Sequence, residues 1–256
     1  MDAHEVAVTA RLRAAGCVFA EEEAALLIQA AAGADLERLV VRREAGEPLE
    51  VILGWVDFGG LRLHLSRGVF VPRQRSLALV AVALATPDPP RRLLDLGCGS
   101  GALAAAVRRH LPDLEVWAVD VDPVAVACAA RNLAEPGDRV LCGSWFEPVP
   151  AELGGTVDLI VANAPYVPSA ALATMPPEAR LHEPATALDG GADGLDHHRV
   201  LIAQAPAWLA VGGRLLIEVG VDQVATGLTL IADAGLRGAA VRDEEREATV
   251  LIATRA

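Results

Sequence analysis

Hydrophobic and polar positions divide the chain into three stretches with different periods. From about residue 6 to residue 41, apolar side chains recur at helical spacing, first Val8 and Leu12, then Leu26, Leu27, Ala30, Leu36 and Leu39, with breaks at Gly16 and Gly33. This pattern predicts two or three short helices forming a small cap. The charged stretch 42–48 ends in Gly46-Glu47-Pro48 and suits a hinge or loop. Beyond it, Val51-Ile52-Leu53 and the alternating Leu61-Arg62-Leu63-His64-Leu65 flank Asp57-Phe58-Gly59-Gly60, a hairpin signal.

From Arg91 onward short β-rich runs alternate with helical ones. Strands are predicted at 93–96, 116–119, 140–142, 159–162 and 215–219, with helices from Ala102, from Pro123, around 196–209 and from Asp222. Each parallel crossover needs a helix, so the alternation predicts an α/β fold with a mostly parallel sheet covered on both faces. The last two runs, 239–242 and 249–253, are joined by too few residues for a crossover and are expected to pair antiparallel at the edge. A length of 256 residues accommodates one main domain with a small appendage. The expected division is a helical segment 1–48, a hairpin linker 49–75 and a Rossmann-like sheet domain 76–256.

Composition narrows the partners. The apolar fraction of 53% rests largely on alanine, and the longest apolar stretches, near 24–32 and 77–85, fall well short of the roughly 20 residues that span a bilayer. The chain starts without a basic segment followed by an apolar one, so no signal peptide is read and a cytoplasmic location is expected. Cys17, Cys98, Cys128 and Cys142 form no Cys-x-x-Cys pair and read as reduced thiols, with no metal site. A formal charge of -12 works against binding to a phosphate backbone. All 22 Lys+Arg are Arg, which closes Schiff-base and P-loop-lysine mechanisms.

The chemistry concentrates at the ends of predicted strands. Gly97, Gly99 and Gly101 lie between a strand and a helix in Asp95-Leu96-Gly97-Cys98-Gly99-Ser100-Gly101, where missing side chains would bring backbone N–H groups and a helix N-terminus close to a ligand. With Ala102 the segment also fits the dinucleotide fingerprint Gly-x-Gly-x-x-Gly/Ala. Asp95 favours a cofactor with a cationic amino-acid end, such as S-adenosylmethionine (SAM). Asp120, closing the next strand, is placed to accept hydrogen bonds from two ribose hydroxyls, whereas Asp122 before Pro123 describes a helix cap. Trp145 follows the third strand, where an aromatic can stack on adenine.

Asn163-Ala164-Pro165-Tyr166 discriminates among reactions. It ends the apolar run Val157-Asp158-Leu159-Ile160-Val161-Ala162, about sixty residues after the glycine loop. An amide nitrogen is a poor nucleophile because its lone pair is delocalised. A site that methylates one must therefore hold both N–H groups while turning the lone pair toward the methyl donor. The Asn163 side-chain carbonyl and the Ala164 backbone carbonyl are two suitable acceptors, Pro165 fixes the turn, and Tyr166 would lie against the planar group. His197-His198 lack carboxylates or Cys at ligand spacing and read as helix surface, Cys98 as a small filler, and Glu21-Glu22-Glu23 as exposed charge.

In these segments the chain resembles the protein-glutamine methyltransferases of the HemK/PrmC type. The resemblance is carried by Arg42 to Leu49, Gly68 to Arg73, the glycine loop, Ala118-Val119-Asp120, Ser144 to Pro148, Asn163 to Tyr166, His182-Glu183-Pro184, Leu188 to Leu195 and Ile217-Glu218-Val219-Gly220. It implies a seven-stranded SAM-dependent methyltransferase sheet, its last pair antiparallel, behind a small helical domain that recognises substrate. It also implies contact of Gly97 to Gly101, Asp120, Trp145 and Asn163 with SAM, and transfer to a glutamine side-chain amide in a protein such as a peptide-chain release factor. The chain departs from the family in three places. Asn-Pro-Pro-Tyr becomes Asn-Ala-Pro-Tyr, Pro-Arg-Pro-x-Thr-Glu becomes Pro72-Arg73-Gln74-Arg75-Ser76-Leu77, and the N-terminal region is shorter by roughly twenty residues. These changes bear on substrate more than on chemistry. Three readings stay beside it: methylation of an exocyclic base amine in nucleic acid, a SAM-binding regulatory module without catalysis, and, from the glycine loop alone, a nicotinamide dehydrogenase.

Overall fold

The computed structural model describes residues 3–175, 180 and 182–256. Residues 1 and 2, on which the signal-peptide reading partly rests, lie outside them. Four helices open the chain: α1 (Ala3–Ala14), α2 (Ala20–Ala30), α3 (Gly33–Glu44) and α4 (Leu49–Leu53). They enclose their own core, in which Leu12, Leu27 and Val40 are fully buried and Ile52 of α4 joins. Arg11 of α1 ties to both carboxylate oxygens of Glu44 on α3 at 2.8 Å. Arg43 meets Glu23 at 2.6 and 3.1 Å, both side chains nearly out of solvent, so Glu23 is a buried ion-pair partner and not exposed charge.

The hairpin consists of β1 (Trp55–Phe58) and β2 (Leu61–His64), paired antiparallel. Val51-Ile52-Leu53, expected as its first strand, instead forms the last turn of the helical unit. Pro48 fixes the entry to α4, and Gly54, at φ 76°, caps its exit. A short apolar run has no period of its own, and here packing against α2 and α3 decides in favour of helix. The hairpin is no free linker. Phe58 and Leu65 are fully buried in the core shared with α5 (Leu77–Leu84), which covers one face of the main sheet.

That sheet has seven strands: β3 (Arg92–Leu96), β4 (Glu115–Asp120), β5 (Arg139–Cys142), β6 (Val157–Ala162), β7 (Leu209–Val219), β8 (Arg237–Asp243) and β9 (Ala248–Thr254), in the order β5-β4-β3-β6-β7-β9-β8. The first five are parallel, and β9 runs antiparallel between β7 and β8. Helices α6 (Ala102–His110), α7 (Pro123–Asn132), α8 (Asp196–Trp208) and α9 (Val224–Asp233) provide the crossovers and cover. Alternate residues of the central strands point to opposite faces: Leu93, Leu159 and Leu216 join the cluster shared with the hairpin and α5, and Leu94, Ile160 and Leu215 join a second cluster on the other face. From β3 the chain winds outward through β4 and β5, then returns to place β6 on the other side of β3. This reversal of strand order opens a crevice beyond the carboxyl ends of β3 and β6, where open α/β sheets bind ligands. Among the described residues no helix is long and apolar enough to cross a membrane.

Candidate active site

One cavity of about 350 Å³ occupies that crevice, a volume suited to a small-molecule ligand. Three strand ends supply its walls. The turn after β3 gives Gly97 to Ser100, β4 ends at Asp120, and β6 runs out into Asn163, Ala164 and Pro165. Trp145, from the segment after β5, completes the cradle. The hairpin side closes it with Phe58, Phe70 and Pro72, none of which the motifs had singled out as site residues.

Gly97 sits at φ 67°, and a Cβ there would lie 3.3 Å from the Trp145 ring. Gly101 sits at φ 75°, and a Cβ would press on Leu133 at 3.0 Å. Glycine thus lets the loop pass between helix and cofactor space. It does not present a row of donors: the N–H groups of Gly97 and Cys98 bond to the Val119 carbonyl, that of Gly99 to Asp120, and that of Gly101 to the Cys98 carbonyl. What the loop offers a ligand is close approach of its backbone. Burial, reinforced by the neighbouring Asp95 and Asp120 carboxylates, holds the Cys98 thiol well above its ordinary value, and it stays a protonated filler.

Asp120 accepts from Gly99 N (2.8 Å, Oδ2) and from Asp122 N (2.9 Å, Oδ1), so each oxygen keeps capacity for a further donor. Burial raises its pKa. Asp122 caps α7 through Val124 N at 2.8 Å, which separates the two acids as the sequence predicts. Asp95 does not line the cavity. It lies 1% exposed under the loop, where Oδ2 accepts from Ala104 N at 3.2 Å while Oδ1 has no partner among the described residues. Desolvation pushes its pKa up to about 7. A buried carboxylate oxygen without a partner is what a cationic group would satisfy, so the residues present fit a cofactor with a charged amino end.

Asn163 donates from Nδ2 to Ser76 Oγ (3.0 Å), and Ser76 donates onward to Glu218 Oε2 (2.7 Å). Tyr166 donates to Glu218 Oε1 (2.9 Å), where Arg75 Nε also arrives at 3.0 Å. Tyr166 is not among the cavity-lining residues, and the Arg75 guanidinium lies 5.6 Å from its ring centroid. Burial and the neighbouring carboxylate push the Tyr166 phenol well up, so it remains a donor. The backbone of this turn is braced from behind by the segment Leu188 to Leu195. Val167 N bonds to Leu188 O, Gly190 N to Val167 O, and Gln223 Nε2 to Tyr166 O at 2.9 Å. A Cβ on Gly190 would sit 2.8 Å from the Pro165 carbonyl oxygen, and one on Gly194 would overlap that of Tyr166.

The two histidines are not helix surface. His197 lines the cavity with its ring 5.4 Å from that of Trp145, and His198 is fully buried with Nε2 2.9 Å from the Glu218 carbonyl. Their helix, α8, faces the sheet on the side where these positions fall. A two-residue motif carries no such directional information. Ser76, Glu218 and Gln223 were likewise given no role by motif reasoning, because their contacts join segments 52 to 142 residues apart in sequence. No cluster of His, Cys, Asp and Glu suited to a metal occurs among the described residues.

The arrangement brings the glycine loop, Asp120, Trp145 and the Asn163 to Pro165 turn to one chamber, and comparisons with known proteins identify the family. A family model described as methyltransferase small domain matches residues 61–226. A protein of Geobacter sulfurreducens named release factor glutamine methyltransferase is 41% identical over 199 residues, covering 77% of this chain and 69% of that protein. One of the same name from Bradyrhizobium diazoefficiens is 38% identical over 260 residues and covers 90% of this chain and 85% of its own. Among solved structures, ribosomal protein L11 methylase from Lactobacillus delbrueckii subsp. bulgaricus aligns with a TM-score of 0.53 at 20% identity, covering 75% of this chain and 83% of that one, a likeness of fold.

Proposed function

The chain belongs to the release factor glutamine methyltransferase family, and on that premise we propose that it transfers a methyl group from SAM to the side-chain amide nitrogen of a glutamine in a peptide-chain release factor. The observation that carries this reading is that Asn163 to Pro165 line the same cavity as the glycine loop, Asp120 and Trp145. The bound cofactor supplies an electrophilic methyl carbon on a sulfonium centre. Asp120 accepts the ribose hydroxyls, Trp145 covers the adenine, and Asp95 offsets the amino cation beneath the loop.

The Asn163 side-chain oxygen and the Ala164 carbonyl hold the two N–H bonds of the target amide and turn its lone pair toward the methyl donor. As bonding proceeds, positive charge passes from sulfur to nitrogen, and both acceptors bind the N–H groups more strongly than in the ground state. The methyl carbon–sulfur bond would break as the carbon–nitrogen bond forms, leaving a neutral thioether, and the extra N–H proton, acidic only from that point, would pass to solvent, so no strong base is needed before transfer. Alignment supplies most of the remaining gain. The helical segment 1–48 is the acceptor-recognition part in this reading, and the compartment is that of translation, the cytoplasm.

The test is transfer of radiolabelled methyl from SAM to a recombinant release factor, with the label mapped to a residue by mass spectrometry. Label on a glutamine side chain, lost in Asn163→Ala, is expected. Label in nucleic acid, or on another residue type, would overturn the reading.

A further inference from the structure

Glu218 lies beyond the cavity wall, yet it governs the polarity of the groups inside. Its side chain is 2% exposed. An ionised carboxylate only accepts hydrogen bonds, so the Ser76 hydroxyl proton is committed to Oε2 at 2.7 Å. Ser76 Oγ can then only accept from its other neighbour. The Asn163 group that meets it, at 3.0 Å, must be the amide NH2. Oδ1 is thereby left facing away from Ser76, as the acceptor on a residue that lines the cavity. Tyr166 is held by the same carboxylate: its proton goes to Oε1 at 2.9 Å, and Arg75 shares that oxygen.

We propose that Glu218 and Ser76 form a positioning relay that fixes the Asn163 amide with its oxygen toward the target nitrogen. The proposal rests on the methylation reading above and deepens it by naming what orients the acceptor. A neutral partner at Glu218 would release the relay, since a Gln amide can donate to Ser76. The hydroxyl would then be free to donate to Asn163 Oδ1, turning the amide over and presenting its NH2 to the N–H groups of the substrate. Two donors face one another in that arrangement, and transfer is lost without loss of the cofactor. His198 fixes the strand end that carries the relay, through its hydrogen bond to the Glu218 backbone carbonyl.

The experiment uses the full chain in four forms, wild type, Ser76→Ala, Ser76→Thr and Glu218→Gln, together with the Ser76→Ala/Glu218→Gln double variant. The first readout is independent of any acceptor: NMR of the Asn163 side-chain amide, assigned by its loss in Asn163→Asp. In the wild type its NH2 protons should show a cross-peak to Ser76 and exchange with water about tenfold or more slowly than those of an exposed amide. Both features should disappear in Ser76→Ala and change in Glu218→Gln. The second readout is kcat on the release-factor acceptor. Ser76→Ala and Glu218→Gln should each lower it by about ten- to a hundredfold, less than the roughly hundred- to thousandfold cost of removing a group that itself contacts the transition state, because Asn163 remains. SAM affinity should stay within about twofold, and Ser76→Thr should recover most of what Ser76→Ala loses.

Because the two groups act in series, the double variant should lose little more than either single one. Fast Asn163 exchange in the wild type, or additive losses in the double variant, would overturn the relay. A wild type that shows the Asn163–Ser76 signature but methylates no glutamine would refute the methylation reading while supporting the relay.

Discussion

Burial of Asp95 makes the stability of the ligand-free protein depend on pH in a way that an isosteric substitution should erase. Its pKa rises from an ordinary 3.8 to about 7 because the carboxylate is desolvated beneath the glycine loop, with one hydrogen bond from Ala104 N to offset the loss of water. The folded state therefore holds the proton more tightly than the unfolded chain. Stability from this group is complete below pH 3.8 and is lost as pH rises through about 7. A shift of roughly three pH units corresponds to about 4 kcal/mol in total, of which about 2–3 kcal/mol falls between pH 5 and pH 8.

Asp95→Asn carries no such titration. Urea unfolding of both proteins without SAM should show the variant gaining on the wild type by about 2–3 kcal/mol over that interval. Other titrating groups cancel in the difference. SAM should reverse the ranking, since its amino cation favours the ionised acid; below pH 7 its affinity for the wild type should tighten by up to about tenfold per pH unit, and that slope should vanish in the variant. A stability difference that stays flat from pH 5 to pH 8 would refute the claim that Asp95 is buried with an unmet charge.

Three further outcomes follow from other contacts. Asp120→Asn puts an amide donor where Gly99 N now donates or where a ribose hydroxyl would, and SAM binding measured by calorimetry should weaken by about ten- to a hundredfold, the equivalent of one or two charge-assisted hydrogen bonds; a change under about threefold would be inconsistent with ribose contact. Gly190→Ala would drive a Cβ to 2.8 Å from the Pro165 carbonyl oxygen, so kcat should fall about tenfold or more through displacement of the Asn163 turn, with SAM affinity little changed. Burial lowers the pKa of His198 below 6.5, so its ionisation removes stability as pH falls below 6.5, opposite in sign to the Asp95 contribution, and the melting temperature of His198→Gln, which keeps a donor to the Glu218 carbonyl, should rise relative to that of the wild type between pH 7.5 and pH 5.5.

Much of the fold was legible because its signals are local. Alternating runs located every strand from β3 to β9, and the short link between the last two announced their antiparallel pairing. Pro123 announced a helix cap just before it, which the structure gives to Asp122, while the position of Asp120 at the end of β4 followed from the strand pattern. Where sequence reasoning failed, long-range contacts decided the matter. The run Val51-Ile52-Leu53 is apolar in any conformation and became helical because Ile52 completes the core of the N-terminal helices. Glu23 looked like one of three surface acids until α3 brought Arg43 to it. His198 read as exposed because nothing in its neighbours tells which side of α8 faces the sheet. The glycine loop was located correctly, but its N–H groups are spent on Val119, Cys98 and Asp120, which only the register between β3 and β4 determines.

The substitution of Ala164 for the family's first proline shows how such distant contacts replace a local constraint. A proline at that position would restrict φ directly. With alanine, the same backbone is instead pinned from three directions. Pro165 still limits the next residue, the Leu188 to Gly190 segment pairs with Val167, and Gln223 holds the Tyr166 carbonyl while its own side-chain oxygen accepts from Gly220 N. Ala164 itself is 1% exposed and has no room in which to wander. Loosening from the missing ring is thus opposed by the Asp189-Gly190-Gly191 turn, whose Gly190 lets its backbone approach the Asn163 to Tyr166 turn closely. Two motifs that sequence comparison treats as separate signatures are one mechanical unit. Loss of a constraint in the first is tolerable because the second bears on the Pro165 and Tyr166 carbonyls, which directly follow the acceptor residues in the same turn.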